Sequence, residues 1–291
     1  MQKIYYILAG LLAVVGLASC SSDEAEMAST DTYQLNFQVI NYEQIALKSN
    51  MRATTRAQEP HFVMAIYDAQ TNKLVEEPTI HKSGSAEGGT FSARLTAGEY
   101  NIVFLAYPTD RTLVADDPTA ITWDARVVGS TFLKTLNITV DENTNAQQEI
   151  VLSRAVGMFT LNCTGTAVPG NFDHFRIQMT GGSYQLNALT GLAGADVTRD
   201  YAFASQKSAA GKTDVSQSGY AFLPQEACNV DITMIAEDAD NQPIRKRTFT
   251  AVPMKINQNT RYTGDFFNET SNNGFSLKID EKEWENVDFD F

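Results

Sequence analysis

Cys20 is the residue whose surroundings predict the most definite chemistry in this sequence. A short basic start, Met1-Gln2-Lys3, precedes an apolar stretch from Ile4 to Gly16 that is too short for a stable membrane span. Leu17-Ala18-Ser19 then leads directly into the cysteine. This order resembles a bacterial lipobox, in which the thiol is acylated and the cysteine becomes the mature N-terminus. The sequence therefore predicts a signal peptide over 1–19 and lipidation at Cys20. A plain secretory signal with an incidental cysteine is the alternative.

The residues after Cys20 are polar and acidic, and we expect 20–30 to form a tether. The run from Ser21 to Glu26 resembles the acidic stretch that flags surface export in lipoproteins of Bacteroidetes. A plain flexible linker explains it equally well. Two or more acyl chains on Cys20 would hold the protein firmly in the outer membrane.

Cys163 and Cys228 are the two cysteines that remain after lipidation. Export to an oxidising compartment permits a disulfide between them. Two widely separated cysteines form no recognisable framework, however, so a pair of free thiols that behave as small hydrophobic residues is the preferred interpretation.

No combination of the other polar residues predicts catalysis or metal binding. His61, His81 and His174 lack the spacing of metal ligands, and each is interpreted as a surface or strand-edge histidine. The run from Asp238 to Pro243 has oxygen ligands at alternate positions, but it lacks the glycine and glutamate of an EF-hand loop, which favours a hairpin turn. We therefore predict no catalytic residue, no metal and no cofactor.

The charge balance argues against two further classes of protein. The chain has 35 acidic and 22 basic residues, for a net charge of -13. A general nucleic-acid binder needs a basic surface, and so does a protein held to anionic lipid by charge alone. We expect no nucleic-acid partner.

Alternating apolar residues predict strands along most of the chain. In the first run, from Tyr33 to Ile40, the residues Leu35, Phe37 and Val39 share one face. Similar short runs recur in both halves, a spacing typical of β-sandwiches. Residues 130–136 form the one helical turn predicted before residue 150. Residues 220–223 and 229–236 are predicted to pair with each other.

A faint internal repeat suggests two related units. Leu95 to Phe104 aligns with Leu223 to Ile232 at its Leu, Asn and alternating apolar positions. His61-Phe-Val-Met aligns in the same way with His174-Phe-Arg-Ile. Although any two hairpins share some alternation, two matches in the same order predict an all-β fold of two sandwiches, over 31–153 and 154–291.

The chain resembles the fimbrillin superfamily of Bacteroidetes, the structural and anchoring subunits of type V pili, over essentially its whole length. Four features occur in the matching order. They are the lipobox at Cys20, an alternating first strand followed by Thr55-Arg56-Ala57, the segments Phe62 to Asp68 and Gly98 to Tyr107, and a closing pair from Val252 to Phe267 with Trp284 beyond it.

The resemblance implies tandem transthyretin-like β-sandwiches and a structural role in a surface fimbria that contributes to cell adhesion. Subunits would join by donor-strand exchange, in which a strand from one subunit fills a groove in the next. Implied partners are other fimbrial subunits, the outer membrane through the lipid, and a host or bacterial surface receptor. Two alternatives stay open: a fimbrial anchor or regulator that does not polymerise, and a glycan-binding surface lipoprotein.

The resemblance also assigns roles to particular residues in the N-terminal part of the chain. Leu35, Phe37 and Val39 belong to the strand that would be exchanged. Cleavage after Arg52 or Arg56 by an arginine-specific protease would release that strand together with the lipid anchor, because exposed polar loops are preferred sites of proteolysis.

The C-terminal segment 275–291 is the predicted donor appendage. It lies beyond the residues that should complete the second sandwich, and Val287, Phe289 and Phe291 alternate as a groove-filling strand requires. Pairing at the edge of its own sheet is the alternative.

Overall fold

Strands make up nearly all the regular structure, because apolar and polar residues alternate along most segments. The computed structural model describes residues 31–42, 60–82, 85–108, 111–268 and 275–279. Within these ranges, the elements other than strands are two 3-10 turns, Asp124–Arg126 and Lys207–Ala209. The strands are β1 (Thr32–Tyr42), β2 (His61–Asp68), β3 (Thr79–His81), β4 (Thr90–Thr96), β5 (Gly98–Tyr107), β6 (Leu113–Val114), β7 (Thr122–Trp123), β8 (Phe132–Val140), β9 (Gln147–Arg154), β10 (Gly157–Thr164), β11 (His174–Thr180), β12 (Leu186–Asn187), β13 (Leu192–Ala193), β14 (Thr198–Ala202), β15 (Asp214–Ala221), β16 (Ala227–Glu237), β17 (Pro243–Lys255), β18 (Asn259–Gly264) and β19 (Ser276–Ile279).

Seven strands of the first half form one sheet in the order β3-β2-β5-β8-β9-β1-β4. This sheet folds back on itself, because residues from its two ends share one core. Phe91 on β4 and Phe104 on β5 are far apart in the strand order, yet their ring centroids are 5.9 Å apart. The first half is therefore a sandwich closed around an aromatic and aliphatic core.

Two four-stranded sheets of the second half enclose a second core. Their orders are β15-β10-β18-β19 and β14-β11-β16-β17. Phe159 on β10 and Phe249 on β17 belong to different sheets, and their ring centroids are 5.9 Å apart. The two sheets therefore pack face to face, as in a β-sandwich.

A third buried layer is shared by the two halves. Strands β2 and β5 are buried on both faces, and their second face packs on residues from the loops and from the second half. Trp123 stacks on Phe222 with ring centroids 6.0 Å apart, and Tyr107 meets Trp123 edge-on at 5.3 Å. The described residues from Thr32 onwards form one compact unit. The domain boundary between 153 and 154 stays a prediction.

The helical turn predicted over 130–136 is wrong, because β8 begins at Phe132. β8 pairs with β5 from Phe132 opposite Ala106 to Val140 opposite Gly98. This long antiparallel ladder on a central, buried strand outweighs the weak local helical preference of a short segment.

The strand pair predicted between 220–223 and 229–236 is also wrong. β15 pairs with β10, whereas β16 pairs with β11 and β17 in the facing sheet. The connection after β15 contains Pro224, which cannot donate a backbone hydrogen bond. The chain therefore crosses from one sheet to the other where the sequence pattern resembles a hairpin.

The aligned repeat segments occupy matching positions in the two halves. His61 opens β2, which pairs antiparallel with β5; His174 opens β11, which pairs antiparallel with β16. The other two aligned segments, Leu95 to Phe104 and Leu223 to Ile232, end within β5 and β16. In the described part of the chain, no helix has the length and apolar character needed to span a membrane.

Candidate functional site

Strand β1 presents three apolar side chains to the core of the first sandwich. Leu35, Phe37 and Val39 are 1%, 1% and 2% exposed. They lie on one face because successive strand residues point to opposite sides, and the intervening residues are polar. Phe37 meets Phe104 with ring centroids 5.1 Å apart. The three residues named by the sequence pattern are therefore brought together.

β1 lies between two strands that do not otherwise pair with each other. It runs antiparallel to β4, with Leu35 opposite Ala93, and parallel to β9, with Val39 opposite Ile150. We call the apolar surface that receives β1 the β1 groove. Its lining residues come from β4, β5 and β9: Phe91, Ala93, Phe104, Ile150 and Leu152.

Close backbone contact fixes β1 at one end of the groove. The backbone N–H of Val39 donates to the carbonyl of Gly89 over 2.9 Å. A Cβ on Gly89 would lie 2.7 Å from the Val39 Cβ, so a larger residue would push β1 away. Glycine at this position therefore permits the close approach.

The burial of β1 is a large share of the stability of a domain. Burying a Leu, Phe or Val side chain contributes about 1.5–3 kcal/mol, so the three together contribute roughly 5–9 kcal/mol. A typical folded protein is stable by about 5–15 kcal/mol in total. Loss of β1 would therefore remove a large part of the stability of the first sandwich.

The remaining predicted site residues fall outside the described residues. They are Cys20, Arg52 and Arg56 before β2, and Val287, Phe289 and Phe291 after β19. The segment 275–279 is described, and β19 pairs antiparallel with β18 at the edge of its own sheet. Phe275 packs edge-on against Phe249 with ring centroids 5.1 Å apart. The first part of the predicted appendage thus pairs within its own chain.

Two arginines hold the chain that leads to β19. Arg247 Nη2 donates to the carbonyl oxygen of Asn268 over 2.6 Å, and Arg245 Nη2 donates to the same oxygen. Both Nε groups also face the carbonyl of Phe266 at 3.4 Å. Burial lowers the pKa of Arg247, and the charge of Arg245 lowers it further. These carbonyl contacts hold residues 266–268 against β17.

Two of the histidines interpreted as surface or strand-edge residues are the first residues of strands and are buried. His61 is 9% exposed and stacks on Tyr107 with ring centroids 5.7 Å apart. His174 is 6% exposed and lies between two carboxylates: its Nδ1 is 2.9 Å from Asp173 Oδ2 and its Nε2 is 3.0 Å from Glu237 Oε2. Sequence spacing could not reveal the second contact, because Glu237 is 63 residues away in the sequence and is brought beside His174 only by the pairing of β16 with β11.

The cluster around His174 ties three segments together. Ser205 Oγ donates to Asp173 Oδ1 over 2.9 Å, and Lys207 Nζ lies 3.4 Å from the same oxygen. The hydrogen bond from His174, joined by that of Ser205, holds the pKa of Asp173 below its ordinary value. No group of three or more His, Cys, Asp or Glu residues suited to a metal ion occurs in the described ranges. The arrangement is a hydrogen-bond network, centred on the buried His174, that connects β11, β16 and the loop after β14.

Cys163 and Cys228 are free thiols in this structure. Cys163 is buried in the second core, and burial raises its pKa, with a further contribution from Asp265. Burial also raises the pKa of Cys228. Thiols with raised pKa values are weak nucleophiles, so these two residues act as small hydrophobic side chains.

A family model described as "Family of unknown function (DUF6562)" matches residues 26–289. No curated protein sequence matches the chain. Similar solved structures include a candidate adhesin from Bacteroides ovatus, with a TM-score of 0.48 and 14% identity over 87% of this chain and 95% of that one. The fimbrial anchor protein Mfa2 from Porphyromonas gingivalis gives a TM-score of 0.44 and 10% identity, covering 88% of this chain and 100% of that one.

A fimbrial assembly protein from Parabacteroides distasonis gives a TM-score of 0.44 and 10% identity over 88% of this chain and 98% of that one. The similar structures thus include fimbrial proteins of Bacteroidetes. With identities this low and TM-scores below 0.5, no functional conclusion follows from them.

Proposed function

The chain belongs to the DUF6562 family, whose function is unknown, and we propose that it is a structural subunit of a surface fimbria that assembles by exchange of β1. In this proposal Cys20 carries the lipid that anchors the precursor in the outer membrane. The subunit has no catalytic turnover. Its partners are other fimbrial subunits, and the assembled fimbria contributes to adhesion.

The observation that carries the proposal is the position of β1 in the first sandwich. β1 is the first described strand, it lies between β9 and β4, and its three apolar side chains fill the β1 groove. The segment 43–60, which contains Arg52 and Arg56, separates β1 from β2. A cut there would free β1 and the lipid anchor while leaving every later strand in one chain.

The C-terminal segment has the pattern that the empty groove would require. Val287, Phe289 and Phe291 repeat at every second residue, as Leu35, Phe37 and Val39 do. A strand that replaced β1 would form main-chain hydrogen bonds with β4 and β9 and place these side chains in the groove. Donor and groove belong to different segments of the chain, so assembly would be head-to-tail and open-ended.

Cleavage by an arginine-specific protease in vitro tests this proposal. We expect cleaved wild-type protein to form a heat-sensitive ladder on gels, and the double variant R52A/R56A to stay monomeric. Arg94 lies exposed on β4 outside the loop, so R94A is the matched control and should assemble like the wild type. Ladders formed by R52A/R56A with an uncut N-terminus would contradict exchange of β1.

A synthetic peptide of residues 281–291 provides a second test. It should bind the cleaved, β1-free protein and fail to bind the intact one, because β1 occupies the groove in the intact chain. The same peptide with Phe289→Asp is the control, since a charge in the apolar groove is strongly unfavourable. Equal binding of the peptide to intact and cleaved protein would place its site outside the β1 groove.

The pairing of β19 with β18 favours a second candidate, a fimbrial anchor that does not polymerise. In such a protein β1 stays in place and the C-terminal strand remains part of its own sheet. N-terminal sequencing of the surface-assembled form separates the two candidates. A chain that still begins at Cys20 within pili would support the anchor, and a start after Arg52 or Arg56 would support the exchanging subunit.

The glycan-binding alternative has less support. Sugar-binding surfaces use exposed aromatic side chains, and Trp123 is 3% exposed and packed between Tyr107 and Phe222. Trp284, the other tryptophan, is outside the described residues.

A further inference from the structure

Arg199 on β14 is a buried cation without an acidic partner among the described residues. It is 3% exposed, and none of the ion pairs between described residues includes it. Its Nε and Nη1 atoms are buried and have no hydrogen-bond partner. Buried polar groups in native proteins are nearly always satisfied, and a buried charge is strongly unfavourable unless it is paired.

The alternation of β14 explains why Arg199 points inward. Thr198, Asp200 and Ala202 are exposed on one face of the strand, whereas Arg199 lies on the other face with Tyr201, which packs against the second core. Arg199 is opposite Met179 of β11. The backbone therefore directs the guanidinium into the protein, where an apolar side chain would be the ordinary choice.

The nearest acidic residues in sequence are already engaged elsewhere. Asp200 accepts a hydrogen bond from Arg176 Nε over 2.6 Å and another from Gln178 over 3.2 Å, on the exposed face. Asp196 Oδ1 accepts two hydrogen bonds from Thr198, one from its backbone N–H over 2.9 Å and one from its hydroxyl over 2.7 Å. Neither carboxylate is left to neutralise Arg199.

Among the described residues, Arg199 has a cation–π contact with an aromatic ring and no contact with a carboxylate. Its guanidinium carbon lies 5.4 Å from the centroid of Tyr201, a cation–π contact. Such a contact offsets part of the charge but accepts no hydrogen bond from the two buried nitrogens. Burial lowers the pKa of Arg199 to about 10, so the side chain is still protonated at neutral pH.

We propose that Arg199 is the binding site for a small carboxylate ligand, which enters at the free side of β14. β14 is the end strand of its sheet, so none of the described strands pairs with it on this side. A carboxylate supplies both the missing negative charge and oxygen acceptors for the N–H groups. This site is independent of the proposed exchange of β1, because it lies in the other sandwich.

Thermal unfolding of the full mature chain tests the site. Tm is measured in increasing sodium acetate, glucuronate or N-acetylaspartate, with sodium chloride at equal ionic strength as the reference. We expect a saturable rise in Tm for the wild type, because a ligand that binds the native state stabilises it. The response to glucuronate compared with N-acetylaspartate identifies a sugar acid or a peptide carboxylate as the better ligand.

Variants separate binding at Arg199 from general salt effects. R199M should lose the saturable rise, whereas R176M should keep it, because Arg176 lies on the opposite face and pairs with Asp200. R199K keeps the charge but loses the planar guanidinium, and we expect its apparent Kd to weaken roughly tenfold or more. An equal, saturable rise in wild type and R199M would overturn the proposal.

The wild-type protein provides a readout that does not depend on any variant's folding. The Nε–H resonance of Arg199 in a 15N NMR spectrum should shift progressively as the carboxylate is added, and saturate with the same Kd as the Tm series. An Arg199 resonance that stays constant up to the highest carboxylate concentration would overturn the proposal. The charge of Arg199 would then be stabilised by Tyr201 and buried water alone.

Discussion

Nε2 of His174 lies 3.0 Å from Oε2 of Glu237, although the two residues are on different strands of the second half. His174 is the first residue of β11 and Glu237 is the last residue of β16. The contact therefore joins the two neighbouring strands at their ends. Asp173 contacts the other ring nitrogen at 2.9 Å. The imidazole therefore bridges two carboxylates, one from the residue before it in the chain and one from the neighbouring strand.

Replacing His174 should therefore destabilise the protein. His174→Leu leaves Glu237, which is 4% exposed, buried without this hydrogen-bond partner, and leaving a buried polar group unsatisfied costs about 1–3 kcal/mol, more if the group is charged. Urea unfolding followed by circular dichroism measures the loss. His81→Leu is the comparison, because His81 is only partly buried on the short edge strand β3 and should cost much less. Equal losses in the two variants would contradict the role assigned to the network.

The lowered pKa of Asp173 predicts loss of stability in acid. A carboxyl whose pKa is lower in the folded than in the unfolded state contributes stability above its unfolded pKa, about 3.9. That contribution is lost as the pH falls through the folded value. His174 and Lys207 favour the ionised form of Asp173, and Glu237 competes for the same histidine. We therefore expect Tm to fall below about pH 4.

Substitution of Asp173 separates its contribution to the loss of stability in acid from the contributions of other carboxylates. D173N should lower Tm at neutral pH and give a flatter decline between about pH 5 and pH 3 than the wild type. Asp116 lies exposed in a loop, and D116N should follow the wild-type curve. A D173N curve parallel to the wild type would assign the acid sensitivity to other groups.

Phe37 on β1 should be among the most sensitive core residues of the first sandwich. Phe→Ala substitutions in protein cores cost about 3–5 kcal/mol through lost burial and the cavity that remains. F37A should therefore lower the free energy of unfolding by about that amount. Ile40 is on the same strand but 42% exposed, and I40A should change stability by no more than about 0.5 kcal/mol.

The close contact between Gly89 and Val39 predicts a rescue by a second substitution. G89A places a methyl group 2.7 Å from the Val39 Cβ, and overpacking of this kind costs about 1–3 kcal/mol. Gly170 is the matched control, since a Cβ there meets nothing within 4 Å. In the G89A/V39G double variant the Cβ of residue 39 is gone, which removes the 2.7 Å contact, so the two losses should not be additive. Simple additivity in urea unfolding would indicate that the two positions do not interact.

The alternation of apolar and polar residues that marks a strand can be read from its own sequence. The strands with which it pairs cannot be read in this way. The burial of Leu35, Phe37 and Val39 follows from alternation alone. The strand identity of β8 depends on β5, which lies elsewhere in the chain and pairs along its whole length. A local pattern over 130–136 therefore predicts a helical turn that the sheet overrides.

Buried charge is harder to recognise than buried apolar surface. His174 is satisfied by Glu237, a residue far away in sequence, so nothing near His174 indicates its burial. Arg199 lies within 184–210, a weakly patterned stretch that contains β12, β13 and β14. Charged residues normally indicate an exposed position, and only the pairing of β14 with β11 turns Arg199 inward.

Two truncations should distinguish the structural part of the C-terminal segment from its donor part. Removal of 280–291 spares β19 and the contact of Phe275 with Phe249, so we expect a monomer with unchanged Tm and no polymer after cleavage. Removal of 275–291 also exposes the edge of β18 and half-buried apolar surface, so Tm should fall as well. Gel ladders and thermal unfolding of both variants check these outcomes. Normal ladders from the shorter truncation would exclude 280–291 as the donor, because no residue of that segment would remain to fill the β1 groove of a neighbour.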